Sequence, residues 1–303
     1  MKKLWLMISI LSILTSCQSV STLSKTKYQE ALSAWEKGQK ENAVAFMEEA
    51  IQNSPRYYEA HIQLGNFYRD MNDYENSLAQ YDLAIKLAPS DPEGWLSTGE
   101  TCVRWGRFLK GEKKLSIYLK GQYHFSKVLG FKQVSEEEEF RATLGKGICL
   151  LNRTLTEDAR KYLNEALALN EDDIDAIFYN AVLREQEMGP NKKSMDTYEE
   201  VLERKPDHLD ALKKMGDLFK ALGMNQKGLD YYKKFIEAGG SSSDIDQWVA
   251  DQERLAAEQN DVPQQAEIIM VCPECGRIGK QGQTICDFDG TELIAQTEPE
   301  ITK

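Results

Sequence analysis

Three cysteines and an aspartate near the C-terminus have the spacing of a metal-binding site. The segment CPECG contains Cys272 and Cys275, and CDFDG, further along the chain, contains Cys286 and Asp289 in the matching positions. A C-x2-C turn lets two sulfurs reach one ion, and the glycine after it permits the positive φ that points backbone N–H groups at the thiolates. Two such turns that face each other place four ligands at tetrahedral corners.

The pattern resembles a zinc ribbon, and CDFDGTEL is similar to the second turn of ribbons that end in C-x-x-D-G-T-x-L. The resemblance implies a structural Zn²⁺ held by the sulfurs of Cys272, Cys275 and Cys286. It also implies Asp289 as the fourth ligand, because a carboxylate oxygen binds Zn²⁺ at about 2.0–2.2 Å.

The ribbon is predicted to be a small module. It spans 267–295, between a linker at 259–266 and a flexible tail at 296–303. Residues 267–271 have strand character, and the glycine-containing segment between the two motifs can form a hairpin. A fold of fewer than about 40 residues generally needs a staple. Structural zinc supplies an apparent ~10–16 kcal/mol in zinc-finger peptides.

The same cysteines leave other interpretations open. Cys272 and Cys275 could be a redox pair, which would make this a redox or metal-handling protein whose helical part recruits a client. No thioredoxin-like βαβ pattern surrounds them, and a structural disulfide between them would leave Cys286 without a local partner. Cys102 and Cys149 lie among apolar neighbours and are expected in the core.

The region before the ribbon repeats with a period of 34 residues, the separation of Pro55 and Pro89. The clearest unit, 58–91, has small, aromatic and leucine residues at characteristic positions: Leu64, Gly65, Tyr68, Tyr81 and Ala84. This pattern resembles the tetratricopeptide (TPR) repeat, a helix–turn–helix unit. The resemblance implies an all-α superhelical solenoid of about six units over 28–258, closed by a capping helix at 241–259.

The resemblance also implies a groove that binds peptides or other proteins. The residues assigned to it are Ile62, Asn66, Arg69, Leu96, Glu100 and Phe178. We expect Asn66 to hold a peptide backbone through both functions of its amide. For Phe178 and its apolar neighbours an alternative stays open, in which they are ordinary core between helices.

The third unit contains a basic and aromatic insert. It spans 92–139, which exceeds the period, and from Arg104 to Lys132 it has eight Lys or Arg residues and one acid, Glu112. The predicted basic patch consists of Arg104, Arg107, Lys110, Lys113, Lys114 and Lys120. Three alternatives stay open for what this patch contacts: an acidic partner protein, an anionic lipid or glycan, or the acidic helices of this chain.

The insert is expected to lengthen or displace the second helix of the third unit. Gly121, Phe125 and Val128 would then occupy the usual buried positions. Ser135, with Glu138 three residues later, resembles a capping box that begins the next helix.

The N-terminus predicts export and lipidation. Two lysines precede an apolar run that is shorter than the roughly 20 residues of a spanning helix and fits a cleavable signal peptide at 1–16. The ending LTSC resembles a bacterial lipobox, which implies acylation of Cys17 and a tether at 17–27. Gln18 after the cysteine favours the outer membrane, facing the periplasm, over the inner membrane.

Charge and motifs narrow the class of function. A formal net charge of −12 would repel nucleic acid. The sequence lacks G-x-S-x-G, P-loop and H-E-x-x-H motifs, so we expect no enzyme. The prediction is a membrane-anchored TPR scaffold or adaptor of an envelope complex, with a structural metal-binding ribbon.

Overall fold

The computed structural model describes residues 20–258, 269–279, 283–287 and 291–296. Several predicted features lie outside these residues: the signal peptide, Cys17, the linker 259–266, Asp289 and the tail beyond Gln296. Within the described part, none of the helices has the length and hydropathy needed to cross a membrane.

The chain forms two compact units that divide after Leu155. The described residues of the first unit form seven helices: α1 Thr22–Glu36, α2 Lys40–Asn53, α3 Tyr58–Asp70, α4 Tyr74–Leu87, α5 Pro92–Gly106, α6 Gly111–Val128 and α7 Glu136–Asn152. Those of the second form six helices and two strands: α8 Thr156–Leu169, α9 Ile174–Met188, α10 Lys192–Arg204, α11 Leu209–Ala221, α12 Asn225–Glu237, α13 Ser243–Glu258, β1 Ile269–Val271 and β2 Ile294–Gln296.

Consecutive helices pack as pairs within each unit. In the first unit α1 packs on α2, α3 on α4 and α5 on α6, while α3, α5 and α7 also contact one another in sequence order. In the second unit α9 packs on α10, α11 on α12, and α13 on α12. The predicted all-α repeat of helix pairs is therefore confirmed.

The helices begin where the sequence provides caps. The Asp91 side chain accepts a hydrogen bond from the Glu93 backbone N–H at 2.9 Å, with Pro92 at the first helical position. The predicted capping box at Ser135 and Glu138 is present at the start of α7. These caps satisfy N–H groups that would otherwise lack partners.

The first helix begins earlier than the predicted solenoid boundary at residue 28. α1 starts at Thr22 because Ser21 caps it, accepting a hydrogen bond from the Ser24 backbone N–H at 3.0 Å. The Ser24 hydroxyl in turn donates to the Ser54 hydroxyl at 2.8 Å at the end of α2. The predicted tether is therefore shorter than expected.

In several helix pairs, a glycine of one helix lies against an aromatic ring of the other helix. A Cβ at Gly65 of α3 would lie 2.5 Å from the Tyr81 ring of α4. In α11, Gly216 has the same relation to Tyr232 of α12, also at 2.5 Å, and Gly99 of α5 lies against Phe125 of α6. The missing side chain lets the two backbones approach closely.

The insert in the third unit is accommodated by a longer helix, as expected. α6 has 18 residues and is the longest helix among the described residues. Gly121, Phe125 and Val128 are buried at the predicted positions.

The C-terminal module has an antiparallel strand pair. β1 pairs with β2 in the register Ile269↔Gln296, Met270↔Ala295 and Val271↔Ile294. Cys272, Cys286 and Leu293 form its small buried cluster, against which Cys275 packs.

Candidate functional site

The three cysteines of the C-terminal module converge on one point. The sulfur atoms of Cys272, Cys275 and Cys286 all lie within 4.8 Å of one another, and those of Cys275 and Cys286 are 3.6 Å apart. Two thiolates on one tetrahedral Zn²⁺, each at about 2.3 Å, would be roughly 3.8 Å apart. The donor set and its spacing therefore fit a zinc ion, with Asp289 outside the described residues.

The backbone around Cys272 has the predicted turn. Gly276 has a φ of +70°, and its N–H donates to the Cys272 carbonyl at 2.9 Å. Burial raises the pKa of the Cys272 thiol, but backbone hydrogen bonds from Cys275 and Glu274, together with the neighbouring thiols, outweigh this and lower its pKa. The lowered pKa favours the thiolate, which is the form that binds metal.

This cysteine turn is joined to the helical region by backbone hydrogen bonds. The Lys192 N–H donates to the Gly276 carbonyl at 2.8 Å, and the Ile278 N–H donates to the Pro190 carbonyl at 3.3 Å. Between them Asn191 and Arg277 form an antiparallel bridge. Residues 276–278 thus lie like a short strand against 190–192, at the turn between α9 and α10.

The α9–α10 turn has the shape that this contact requires. Gly189 has a φ of +78°, which ends α9 and turns the chain outward. Asn191 is 2% exposed, and its side chain caps α10 by accepting from the Ser194 N–H at 2.9 Å and donates to the Gly189 carbonyl at 2.9 Å. The repeat 174–208 is one residue longer than the period at this point, where the structure has an extended segment that pairs with residues 276–278.

A cleft of about 150 Å³ lies beside the contact. Its walls come from the α9–α10 turn, the end of α11 and the C-terminal module, with Pro190, Leu222, Ile278 and Leu293 as apolar members. Cys286 is also part of the wall, so the cleft borders the cysteine cluster.

A second feature is a row of ion pairs along the first helices of successive pairs. The Arg141 guanidinium contacts the Glu100 carboxylate at 2.8 Å and the Glu93 carboxylate at 3.1 Å. Arg69 also approaches Glu100, at 3.7 Å. This charge row, which joins α3, α5 and α7, continues from Arg69 to Asp70 and Arg104 and contains three guanidinium groups and three carboxylates.

Residues 28–100 match the tetratricopeptide-repeat family model.

Solved TPR structures share the fold of the chain. PilW, described as a widely conserved type IV pilus biogenesis factor, superposes with a TM-score of 0.53 and is 20% identical, covering 75% of this chain and 98% of PilW. PilF of Pseudomonas aeruginosa superposes with a TM-score of 0.51 at 15% identity, covering 76% of this chain and 97% of PilF. These identities are too low to show more than a common TPR-like solenoid fold, which confirms the predicted fold class.

A curated relative is much longer than this chain. Superkiller complex protein 3 of Homo sapiens is 24% identical over 186 residues, which cover 56% of this chain and 12% of the human protein. The match therefore concerns a repeat region and not the whole of that protein.

Three of the residues assigned to the TPR groove are core residues. Leu96 is fully buried, Phe178 is 2% exposed and Ile62 is 9% exposed. Ile62 is directed toward the neighbouring first helix, where a Cβ at Gly94 would lie 3.8 Å from it. Their prediction as groove-lining residues is wrong because close helix stacking covers them.

The polar groove residues are accessible but already have partners. The Asn66 amide oxygen accepts a hydrogen bond from the Tyr81 hydroxyl at 2.8 Å. Asp217 accepts the Tyr232 hydroxyl at 2.6 Å in the corresponding place of a later repeat. Asn66 therefore has a structural role between helices, while Arg69 and Glu100 belong to the charge row. Arg141 was not identified from the sequence. Its place as the second residue of the repeat 140–173 was a usable signal.

The residues of the predicted basic patch differ in their partners and exposure. Arg104 pairs with Asp70 at 3.1 Å and belongs to the charge row, and Lys120 lies 4.0 Å from Asp82. The Lys114 ammonium lies 5.8 Å from the Tyr118 ring centroid. Arg107, Lys110 and Lys113 are exposed. The alternative in which the patch is neutralised by this chain's own acids holds for Arg104 and Lys120.

The remaining two described cysteines are core residues, as expected. Cys102 and Cys149 are fully buried and have no disulfide. Burial raises the pKa of Cys102 to about 12 and that of Cys149 well above its usual value. Neither thiol is poised for chemistry.

Proposed function

We propose that this protein is a lipid-anchored TPR scaffold that binds peptides or proteins through the charge row, as an adaptor in an envelope complex. The observation that carries this proposal is the row itself. Six charged side chains from successive first helices meet on one face in a TPR-like fold. TPR proteins typically act by binding, and we propose the same here in place of catalysis.

The charge row suits a polar or charged peptide. Glu100, Arg69 and Arg141 are 21–33% exposed, so they are packed on one side and open on the other. A bound peptide with carboxylates or amines can replace one partner of an internal ion pair. No charged side chain is then left buried without a partner. Planar guanidinium groups also favour ligands that accept two hydrogen bonds.

Anchoring is proposed through acylation of Cys17, with the mature protein on the outer membrane facing the periplasm. Five residues take the chain from Cys17 to the start of α1 at Thr22. Even fully extended, they reach only about 18 Å. Such an anchor would hold the first TPR pair close to the lipid surface.

The ribbon is proposed to bind one structural Zn²⁺ through Cys272, Cys275 and Cys286, with Asp289 as the fourth ligand. The convergence of the three sulfur atoms supports this proposal. With the metal bound, the Cys272 turn would present Gly276 and Ile278 to the α9–α10 turn. The ribbon is then a brace for the second unit.

The second candidate is a redox or metal-handling function, in which the TPR repeats recruit a client. The 3.6 Å approach of the Cys275 and Cys286 sulfur atoms favours it, because neighbouring thiols can be oxidised to a disulfide. A disulfide between any two of the cysteines would leave the third as a thiol. Three thiolates in one place are better explained by a metal.

Crosslinking in intact cells, followed by identification of the captured proteins, tests the scaffold. The test variant is Glu100→Ala with Arg141→Ala, and the control is Arg160→Ala with Glu187→Ala. Each removes a close ion pair, of 2.8 Å and 2.6 Å respectively, together with a second pair that the same arginine makes with Glu93 or with Glu157. We expect only the first to lose partners. Unchanged capture by a folded test variant would exclude the charge row as the binding face.

Metal analysis with a thiol count separates the two functions. The scaffold predicts one zinc per chain and protection of Cys272, Cys275 and Cys286 from alkylation until zinc is removed. The alternative predicts a reversible disulfide and no retained zinc.

A further inference from the structure

The outer side of α6 carries a line of exposed apolar side chains. Leu115, Leu119 and Tyr123 are 50%, 52% and 52% exposed, and each is four residues from the next. Residues with this spacing form one stripe along a helix. The opposite side of α6, which includes Tyr118 and Phe125, is buried in the TPR core. Phe108, 57% exposed, lies just before the helix.

A row of lysines runs beside the stripe. Lys113, Lys120 and Lys127 recur every seven residues, which places them along one edge of it. The Lys127 ammonium lies 5.1 Å from the Tyr123 ring centroid, which places this lysine directly beside the stripe. Lys120 also forms an ion pair with Asp82 of α4, at 4.0 Å, so one acidic side chain lies beside this row.

We propose that this face of α6 lies flat on a bilayer that contains anionic phospholipids. The apolar side chains would enter the boundary between headgroups and acyl chains, and the lysine stems would extend to the phosphates. This arrangement of an apolar stripe with a basic margin is that of helices that rest in the interface plane of a membrane.

Charge complementarity selects the bilayer as the occupant. The chain has 49 Asp and Glu against 37 Lys and Arg, so most of its surface is repelled by an anionic surface. The segment from Arg104 to Lys132 reverses that balance, with one acid. Only this face would approach the membrane, which fixes the orientation of the first unit. The contact does not depend on Cys17 or on the charge row.

Vesicle flotation tests the proposal with the chain that begins at residue 18, which lacks Cys17 and keeps every described residue. The probes are phosphatidylcholine vesicles with and without phosphatidylglycerol. We expect flotation only with the anionic vesicles and weakening by salt. Lys113→Glu, Lys120→Glu and Lys127→Glu together should weaken binding by about tenfold or more.

The control is a charge-matched variant with Glu at three exposed, scattered lysines of the same unit, Lys25, Lys37 and Lys86. It should float like the wild type. A second variant, with Leu115→Ser, Leu119→Ser and Tyr123→Ser, keeps the charge and should also lose flotation. Circular dichroism checks that each variant is folded.

Two results would overturn the proposal. One is equal binding by the charge-reversed variant and its control. The other is a wild-type dimer, seen by light scattering, that the serine variant dissociates while vesicles do not bind, since the stripe would then contact a second copy. Either result leaves the charge row untouched as a peptide-binding face.

Discussion

The backbone N–H of Lys192 donates a hydrogen bond to the carbonyl of Gly276 at 2.8 Å, so the first residue of α10 is tied to the turn that holds two of the three clustered cysteines. These residues are 84 positions apart in the sequence. The proposed metal site and the α9–α10 turn are therefore directly connected, and a change in the metal site should alter the turn.

Removal of zinc is expected to release this turn. Without metal the Cys272 turn loses its staple, so the Lys192 amide should exchange its hydrogen faster, while amides of α1 and α2 keep their rates. Hydrogen exchange with and without a chelator measures this. The chelator should have no effect on the variant with Ser at Cys272, Cys275 and Cys286. Unchanged Lys192 exchange in the wild type would show that the turn does not depend on metal.

Substitution of Gly65 by Ala should destabilise the first unit. The added methyl group would meet the Tyr81 ring at 2.5 Å, and such overpacking typically costs about 1–3 kcal/mol. The free energy of unfolding in urea measures the cost. Tyr81→Leu should reduce the effect of Gly65→Ala in a double-mutant cycle. Additive effects would mean that the ring is not the obstacle.

The stability of the first unit is expected to fall as the pH drops below about 6.5. Burial lowers the pKa of His124, so in this range the unfolded chain binds a proton that the folded chain does not. The contribution is complete above the unfolded pKa and decreases by up to about 1.4 kcal/mol per pH unit below it. Urea unfolding at pH 7.5 and 5.5 should show a larger loss for wild type than for His124→Gln.

Glutamine at position 124 removes the titrating imidazole and keeps a polar side chain beside the Lys120 carbonyl, which the histidine Nδ1 contacts at 2.8 Å. Equal pH dependence of the two proteins would assign the loss to other groups. Lys120 and Asp82, which also act on the His124 pKa in opposite directions, are unchanged in the variant.

Arg141→Ala should cost about 1 kcal/mol of stability, because it leaves Glu93 and Glu100 without their shared partner. Arg141→Lys should restore only part of this, since an ammonium group cannot reproduce two directed contacts. Arg254→Ala removes an exposed pair with Asp251 and should cost little. Thermal or urea unfolding compares the three variants. A cost of Arg141→Ala no larger than that of Arg254→Ala would mean that the two-carboxylate contact is unimportant.

The helix pairs could be predicted from the sequence because the 34-residue period reflects packing constraints that act within each repeat. Gly65, Tyr81 and Pro89 recur where backbones approach or helices end, and the structure uses them in that way. The three cysteines could likewise be placed together, since short turns position ligands locally. The start of α1 differs from the predicted boundary, and its cap residue has a partner that local sequence cannot show, since the Ser21 N–H donates to the Ser54 hydroxyl, 33 residues away.

The binding face was predicted less well because exposure depends on how neighbouring repeats stack. Leu96 and Phe178 occupy groove positions in the repeat pattern, but both side chains are buried in the structure. The repeat pattern also cannot show that the Asn66 amide oxygen already accepts a hydrogen bond from the Tyr81 hydroxyl. The contact between Gly276 and Lys192 lies between distant segments, and its one local sign was the additional residue beside Pro190.

Because the C-terminal segment pairs with the α9–α10 turn, the effects of truncating the chain cannot be assigned to the deleted residues alone. A stop codon after α13 would delete the ribbon and also uncover Asn191 and the start of α10 in the middle of the chain. A phenotype of such a truncation would report two losses at once. Point changes at the cysteines, compared with changes at Pro190, would separate the role of the module from the role of the site it covers.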